Sequence, residues 1–252
     1  MRTASFSLNL TSRSLAAILC LALAFPAVAQ DDDRKTKQTV AMSQSVFEKL
    51  TEIQALVEEK DYAGGHAAIR ELQGKDNLSP YEKAQLHNLS GYAYYLEENF
   101  DSAIRSYGQV LQQPELPEAL QQSTLKTLAQ LHFTVENYQE ALVTVQRLMA
   151  IVPEPAADVY MLLGQAHFQM QDYNKALGPI QTAIDMFNDQ GRVPRENWLL
   201  LLRVCHYELG DFQSMIGVLV DLITYYPKDT YVLTLAGVYS ELGDTKKQLA
   251  LA

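Results

Sequence analysis

The sequence predicts an all-α fold, a solenoid in which antiparallel helical hairpins are stacked in a row. Three observations support this prediction. Apolar residues recur at three- and four-residue steps, as one face of a helix requires. A turn signal followed by an aromatic residue returns at intervals of 35 to 39 residues. No run between these turns is typical of a strand.

The turn signal is clearest in the stretch EENFDSAI, residues 97–104, where Asn99 precedes Phe100 and Ala103 follows. Four related words are EKDYAGGH, VENYQEAL, MQDYNKAL and ELGDFQSM. Asp and Asn favour turns and helix N-termini, whereas rings and Ala pack helices together. The repetition therefore predicts a structural junction rather than a catalytic motif.

Residues 1–29 predict a secretory signal peptide. Arg2 and Arg13 precede the apolar run LAAILCLALAF, and Pro26 and AVA follow it. This order is typical of a cleaved leader. An uncleaved membrane anchor is the alternative, but the run is shorter than the roughly 20 residues of a spanning helix. We therefore expect a periplasmic protein whose mature chain has no transmembrane segment.

The segment that follows, residues 30–44, is polar and aperiodic, which predicts a flexible tether. The charge balance, 20 Lys and Arg against 30 Asp and Glu, argues against a nucleic-acid-binding protein. The mature chain keeps one cysteine, Cys205, so it cannot form an intramolecular disulfide. Its apolar context indicates a small buried residue rather than a reactive thiol.

The helical region divides into a degenerate first repeat at 45–80 and further repeats from 81 to 252. In the first repeat Gly65 stands where later repeats have Ala, and the connection to Pro80 is long. In the later repeats the first helix carries a small residue and, three residues further along, a ring. The second helix carries an Ala. These residues are Gly91, Ala129, Gly164 and Ala236; Tyr94, His132, His167 and Tyr239; and Ala103, Ala141 and Ala176. Small residues let two helices approach closely.

In this order of positions the chain resembles the tetratricopeptide repeat family, and Trp198 and Leu201 stand where that family favours Trp and Leu. The resemblance implies a right-handed superhelical solenoid. The repeat that begins near Arg195 departs from the pattern, because Leu202 and Met215 occupy positions where small residues are usual. The link NDQGRVPREN is long enough for an extra helical turn or an exposed loop. The last repeat is incomplete, which predicts that the sequence is a piece of a longer chain.

The sequence predicts no catalytic, cofactor or metal site, and hence no enzyme. His132 and His167 occupy packed ring positions, and no two histidines have the four-residue spacing of a helical zinc site. Gly64 and Gly65 lack the Lys or third Gly of a phosphate-binding loop.

The resemblance instead implies a concave groove, lined by the exposed side of each first helix, that binds a protein or peptide partner. Aromatic and amide side chains suit such a groove because rings give contact area and amides bond peptide backbone. The alternative is that Tyr95, Phe133 and Phe168 only pack adjacent repeats. The candidate groove residues are Asn88, Tyr92, Tyr95, Lys126, Gln130, Phe133, Gln165, Phe168, Arg203, His206 and Tyr207.

Two wider functions remain open at this point. Two segments, SQSVFEKLTEIQALVEEKDYAGG and GRVPRENWLLLLRVCHYELGDF, are similar to segments of secreted tetratricopeptide proteins that accompany TonB, ExbB and ExbD energy-transduction systems. That resemblance implies TonB or a TonB-linked component as the partner, and a role in uptake of iron chelates. The alternative is an envelope assembly factor for polysaccharide export or outer-membrane protein biogenesis. Sugar binding is disfavoured because the single Trp, Trp198, occupies a structural position.

Overall fold

The computed structural model describes residues 42–250, and all the regular structure in that range is α-helical. The predicted all-α fold is confirmed. The helices are α1 (Gln44–Glu58), α2 (Tyr62–Gln73), α3 (Pro80–Leu96), α4 (Phe100–Val110), α5 (Glu118–Thr134), α6 (Tyr138–Ile151), α7 (Ala157–Gln169), α8 (Tyr173–Asp189), α9 (Glu196–Glu208), α10 (Phe212–Tyr225), α11 (Asp229–Glu241) and α12 (Thr245–Leu249). The predicted signal peptide, and the predicted tether up to residue 41, lie outside the described residues.

The helices pair in chain order into six hairpins, α1 with α2 through α11 with α12. We call the first helix of each hairpin the A helix and the second the B helix. Each B helix also contacts the A helix of the next hairpin, and A helices contact one another from α1 to α3, α5 to α7 and α7 to α9. The A helices therefore form one layer of the solenoid.

The repeated sequence motif forms the junction between the two helices of a hairpin. The backbone N–H of Asn99 donates to the Tyr94 carbonyl at 2.9 Å, which closes the end of α3. Glu98, between them in the turn, takes the left-handed conformation with φ 58°. The Asn99 side chain then accepts from the Ser102 N–H at 3.2 Å and caps α4. One residue thus ends one helix and begins the next.

The other five junctions repeat this closing bond at 2.8 to 2.9 Å. Its donors are Asp61, Asn137, Asp172, Asp211 and Asp244, and its acceptors are Leu56, His132, His167, His206 and Tyr239. The bond fixes the register of every hairpin, because its acceptor is always the third-last residue of the A helix. The structural role predicted for the repeated motif is confirmed.

Small residues mark the closest approach of the A and B helices, as predicted. A Cβ on Gly91 would lie 2.8 Å from the Tyr107 ring, and one on Gly164 would lie 2.5 Å from Ile180 Cγ1. On the facing helices Ala103 and Ala176 are 0% exposed. The helix axes can come this close only because these positions carry no larger side chain.

Helix α8 runs for 17 residues, whereas the other B helices have 14 or fewer. The sequence predicted an extra turn of helix or an exposed loop, and both are present. The helix ends at Asp189, Gly191 follows with a φ of +66°, and an exposed link leads to the buried Pro194. The added turn places Phe187 against Trp198 at the start of hairpin five, with ring centroids 4.6 Å apart.

Hairpin five corrects one sequence assignment. Asp211 closes α9 on the carbonyl of His206, so the small-residue position three residues earlier holds Arg203 rather than Leu202. The sequence assignment is wrong by one residue because it was aligned on Trp198 and not on the turn. The Nε of Arg203 is buried without a hydrogen-bond partner among residues 42–250, and burial lowers the pKa of its guanidinium. A bulky Arg and the buried Met215 therefore replace the small pair of other hairpins.

Candidate functional site

The candidate groove residues all lie on A helices, on α3, α5, α7 and α9. On α3, α5 and α7 they follow each other at three or four residues, as Asn88, Tyr92 and Tyr95 do on α3, which places them on one face. Because α5 contacts α7 and α7 contacts α9, the faces of these three helices form one strip, and the face of α3 precedes them in chain order. Most of the side chains on this strip are half-buried, and Tyr207 is 55% exposed.

Four aromatic members of the strip contact the ring that begins the B helix of the same hairpin. The pairs are Tyr95 with Phe100, Phe133 with Tyr138, Phe168 with Tyr173 and Tyr207 with Phe212. Their ring centroids are 5.6 to 6.3 Å apart, in tilted or edge-to-face geometry. These contacts lie within hairpins, whereas the alternative in the sequence analysis placed them between adjacent repeats. The rings line one edge of the strip, each held at a fixed place.

Two sequence-predicted residues occupy packed positions and not the strip. His206 stands where His132 and His167 stand in earlier hairpins, and its Nδ1 lies 3.2 Å from Asp211 Oδ2. Arg203 fills the small-residue position described above. Arg203 and His206 do not occupy the positions predicted for them, because the register of hairpin five differs by one residue from the alignment on Trp198. The nine remaining candidates, from Asn88 to Tyr207, are called the groove surface below.

Lys126 joins two hairpins. Its ammonium forms an ion pair with Asp158 at the start of α7, so it connects α5 with the next A helix. Asp158 was missed by the sequence analysis, although an acid in the first turn of an A helix opposite a Lys on the preceding one is a signal for such a pair. Similarly Glu196 on α9 accepts from Lys228 and Tyr231 at the start of α11.

A third link of this kind centres on the buried Glu82, which joins α3 to α1. Its carboxylate accepts from the Ser79 N–H at 2.8 Å, and from the Ser43 N–H at 2.9 Å and the Ser43 hydroxyl at 2.7 Å. Burial raises the pKa of Glu82, but the hydrogen bonds from Ser79 and Ser43 outweigh it and hold the pKa below its usual 4.5. The start of the first hairpin is thus anchored to the second.

We expect this anchor to depend on pH. Because the folded pKa of Glu82 is depressed, its stabilisation is present above pH 4.5 and is lost as the pH falls through the folded pKa. Glu82→Gln should lower the free energy of unfolding by about 1–2 kcal/mol at neutral pH, because charged hydrogen bonds are replaced by neutral ones. Urea unfolding followed by circular dichroism should show this difference shrinking below pH 4.5.

The control for this prediction is Glu118→Gln, at an exposed position in the first turn of α5. It should change the free energy of unfolding by less than about 0.5 kcal/mol. A Glu82→Gln effect of the same size at acid and neutral pH would contradict the assigned role of the carboxylate.

Three titratable side chains that the sequence analysis singled out are packed. Cys205 is 0% exposed, and burial raises the pKa of its thiol to about 12, as its predicted buried role requires. Burial also lowers the pKa of His132 and of His167, which lie at packed ring positions as predicted. Within the part of the chain that the structure describes, no group of three His, Cys, Asp or Glu side chains could hold a metal ion. No helix there has the length and apolar content to cross a membrane.

Comparison with known proteins agrees with this geometry. Residues 157–177, in hairpin four, match the sequence model of the tetratricopeptide repeat. The fold also matches the crystal structure of a tetratricopeptide repeat protein from Parabacteroides merdae, with a TM-score of 0.59, 18% identity, and coverage of 83% of this chain and 78% of that one. The fold is a right-handed tetratricopeptide-repeat solenoid. No curated protein sequence is significantly similar to the chain.

Two further solved structures share the tetratricopeptide-type solenoid. The apo form of RapI matches with a TM-score of 0.66 and 13% identity, over 84% of this chain and 65% of RapI. MamA matches with a TM-score of 0.57 and 19% identity, over 68% of this chain and 88% of MamA. At these identities the likeness establishes the fold. What the groove surface binds depends on this chain's own residues.

Proposed function

We propose that the protein is a non-enzymatic periplasmic scaffold that binds an extended segment of a protein partner along its groove surface. The observation that supports this most strongly is the strip itself. Tyr92, Gln130 and Gln165 stand at the same position on three A helices, two residues before the carbonyl that closes the helix. Amides repeated at the spacing of the hairpins suit the backbone of an extended peptide.

The fixed aromatic pairs add a second argument for peptide binding. Four rings on the strip, Phe133 among them, are each held by a ring of their own hairpin, so little side-chain entropy is lost when a partner contacts them. Rings that are already oriented before binding favour affinity for that reason. The half-burial of these rings leaves one side of each for the partner.

The partner we propose is TonB or a TonB-linked component of an outer-membrane uptake system for iron chelates. This rests on the resemblance of residues 43–65 and 191–212 to secreted tetratricopeptide proteins of such systems. The alternative, an assembly factor that binds envelope polysaccharide, is less well supported. Trp198, the single Trp of the sequence, is 3% exposed and so offers no ring to a sugar.

The direct test is a titration of the mature chain with the purified periplasmic domain of TonB, followed by fluorescence anisotropy. Gln130→Ala combined with Gln165→Ala should weaken binding about tenfold, since each amide contributes about 0.5–1.5 kcal/mol of hydrogen bonding. The matched control is Gln139→Ala combined with Gln146→Ala, both exposed on the B helix α6. Equal affinity of the two double variants for the TonB domain would contradict the groove. The absence of saturable binding of the TonB domain to the wild type and to both variants would contradict TonB as the partner.

A further inference from the structure

A polar cleft of about 270 Å³ lies away from the groove surface, between the B helices of hairpins one and two. The helices α2 and α4 form its walls, and α3 lies beneath them. Its lining includes His66, Arg70, Gln73, Ser90, Arg105 and Ser106. Two arginines from different helices thus face one space.

The charge of the cleft is opposite to that of the protein. The sequence has a net charge of −10, yet no carboxylate lines the cleft. The Arg70 carbonyl accepts from the Gly74 N–H, but its guanidinium has no hydrogen-bond or ion-pair partner among the residues that the structure describes. Arg105 donates only to the Ser102 hydroxyl, at 2.8 Å. By contrast five lysines are paired with carboxylates: Lys49, Lys126, Lys175, Lys228 and Lys247.

Three positions that line the cleft are polar here and apolar in hairpins three, four and five. The register of the junctions gives the equivalents of each lining residue. In place of His66 the later B helices have Ile104, Leu142, Leu177 and Ile216. In place of Gln73 they have Leu111, Met149, Ile184 and Ile223, and in place of Ser90 the later A helices have Leu128, Leu163, Leu202 and Leu235. Packing of hairpins therefore does not require polar residues here.

Two hydroxyls and the imidazole of the cleft are held in place before any ligand binds. The hydroxyls of Ser90 and Ser106 lie 3.3 Å apart and are 6% and 5% exposed. One hydroxyl proton bonds the other oxygen, so the second remains available as a donor. His66 is fixed by Glu97, 2.6 Å from its Nε2, and by the Tyr94 ring at 4.4 Å.

We propose that this cleft binds a phosphate group, either free or as the monoester of a small ligand. Guanidinium groups present parallel N–H donors that match phosphate oxygens. The oxygens of a phosphate point in several directions, so one group can accept from Arg70 on α2, from Arg105 on α4 and from the serines between them. A planar carboxylate presents one edge, which a single guanidinium satisfies. The proposal is independent of the partner that binds the groove surface.

The test is isothermal titration of the mature chain with inorganic phosphate, glycerol phosphate and acetate. We expect saturable binding of one or both phosphate probes and much weaker binding of acetate. Arg70→Gln and Arg105→Gln should each weaken phosphate binding about tenfold, the effect of losing one charged hydrogen-bonding group. The control is Arg147→Gln, an exposed position on the B helix α6 that should leave binding unchanged.

Two further variants separate a built site from a general effect of positive charge. Arg70→Lys keeps the charge but loses the paired N–H donors, so it should still weaken binding. Ser106→Val introduces the residue that hairpin five has at this position, Val218, and should weaken binding while the helical signal is retained. Full affinity in Arg70→Lys, an equal loss in Arg147→Gln, equal binding of acetate, or no saturable binding of either phosphate probe would overturn the proposal.

Discussion

Trp198→Ala should lower the free energy of unfolding by about 3–5 kcal/mol, the usual cost of removing a large buried ring. The Trp198 side chain is 3% exposed and meets Phe187 edge to face at 4.6 Å. The Arg192 guanidinium lies 3.9 Å from the centre of the Phe187 ring, and that of Arg195 lies 5.0 Å from the Trp198 ring. The indole therefore joins the long helix α8 to hairpin five, and its loss leaves a cavity between them.

Thermal and urea unfolding of the protein measure this effect. The matched control is Tyr225→Ala, which removes an aromatic ring that is 41% exposed on α10. We expect that change to cost less than about 1 kcal/mol. A Trp198→Ala protein as stable as the control would show that Trp198 does not join the two hairpins.

The second large effect concerns Gly164, and here one chemical change should have opposite signs at two glycines. A Cβ on Gly164 would lie 2.5 Å from Ile180 Cγ1 and 3.1 Å from the Ile180 backbone nitrogen. Gly164→Ala should therefore destabilise by about 1–2 kcal/mol, because the two helices must move apart. In α10 a Cβ on the exposed Gly217 would meet nothing within 4 Å. Gly217→Ala should stabilise by about 0.5–1 kcal/mol through helix propensity.

Urea unfolding of the two variants beside the wild type distinguishes these signs. The pair controls for helix propensity, since the same methyl group is added inside a helix in both cases. Stabilisation by both changes would mean that α7 and α8 do not approach closely at Gly164.

The hairpins could be predicted from the sequence because their junctions depend on local chemistry. An Asp or Asn that caps the next helix, such as Asn99, leaves the same signature in every repeat. Small residues at the crossings, such as Gly91, are similarly visible, since only Gly or Ala fits there. The shift in hairpin five was not visible, because Trp198 and the turn at Asp211 indicate registers that differ by one residue. Only the bond from Asp211 to His206 decides between them.

The groove surface was predictable in outline, since a helical face follows from three- and four-residue spacing. That Phe133 and its equivalents are held by rings of their own hairpins depends on tertiary contacts that spacing does not give. The phosphate cleft was missed because Arg70 and Arg105 belong to different hairpins, 35 residues apart in the sequence. Its signal was a set of polar residues at positions that are apolar in other repeats, which becomes readable once the register is known.

The most direct test of the groove surface is site-specific photo-crosslinking in cells that produce the chain at its natural level. A photoreactive phenylalanine at Gln130 or Gln165 should give a crosslink to the proposed protein partner, whereas the same group at Gln146 on α6 should give none. Crosslinks of equal yield at Gln146, or confined to it, would show that the partner binds the B helices and would contradict the groove.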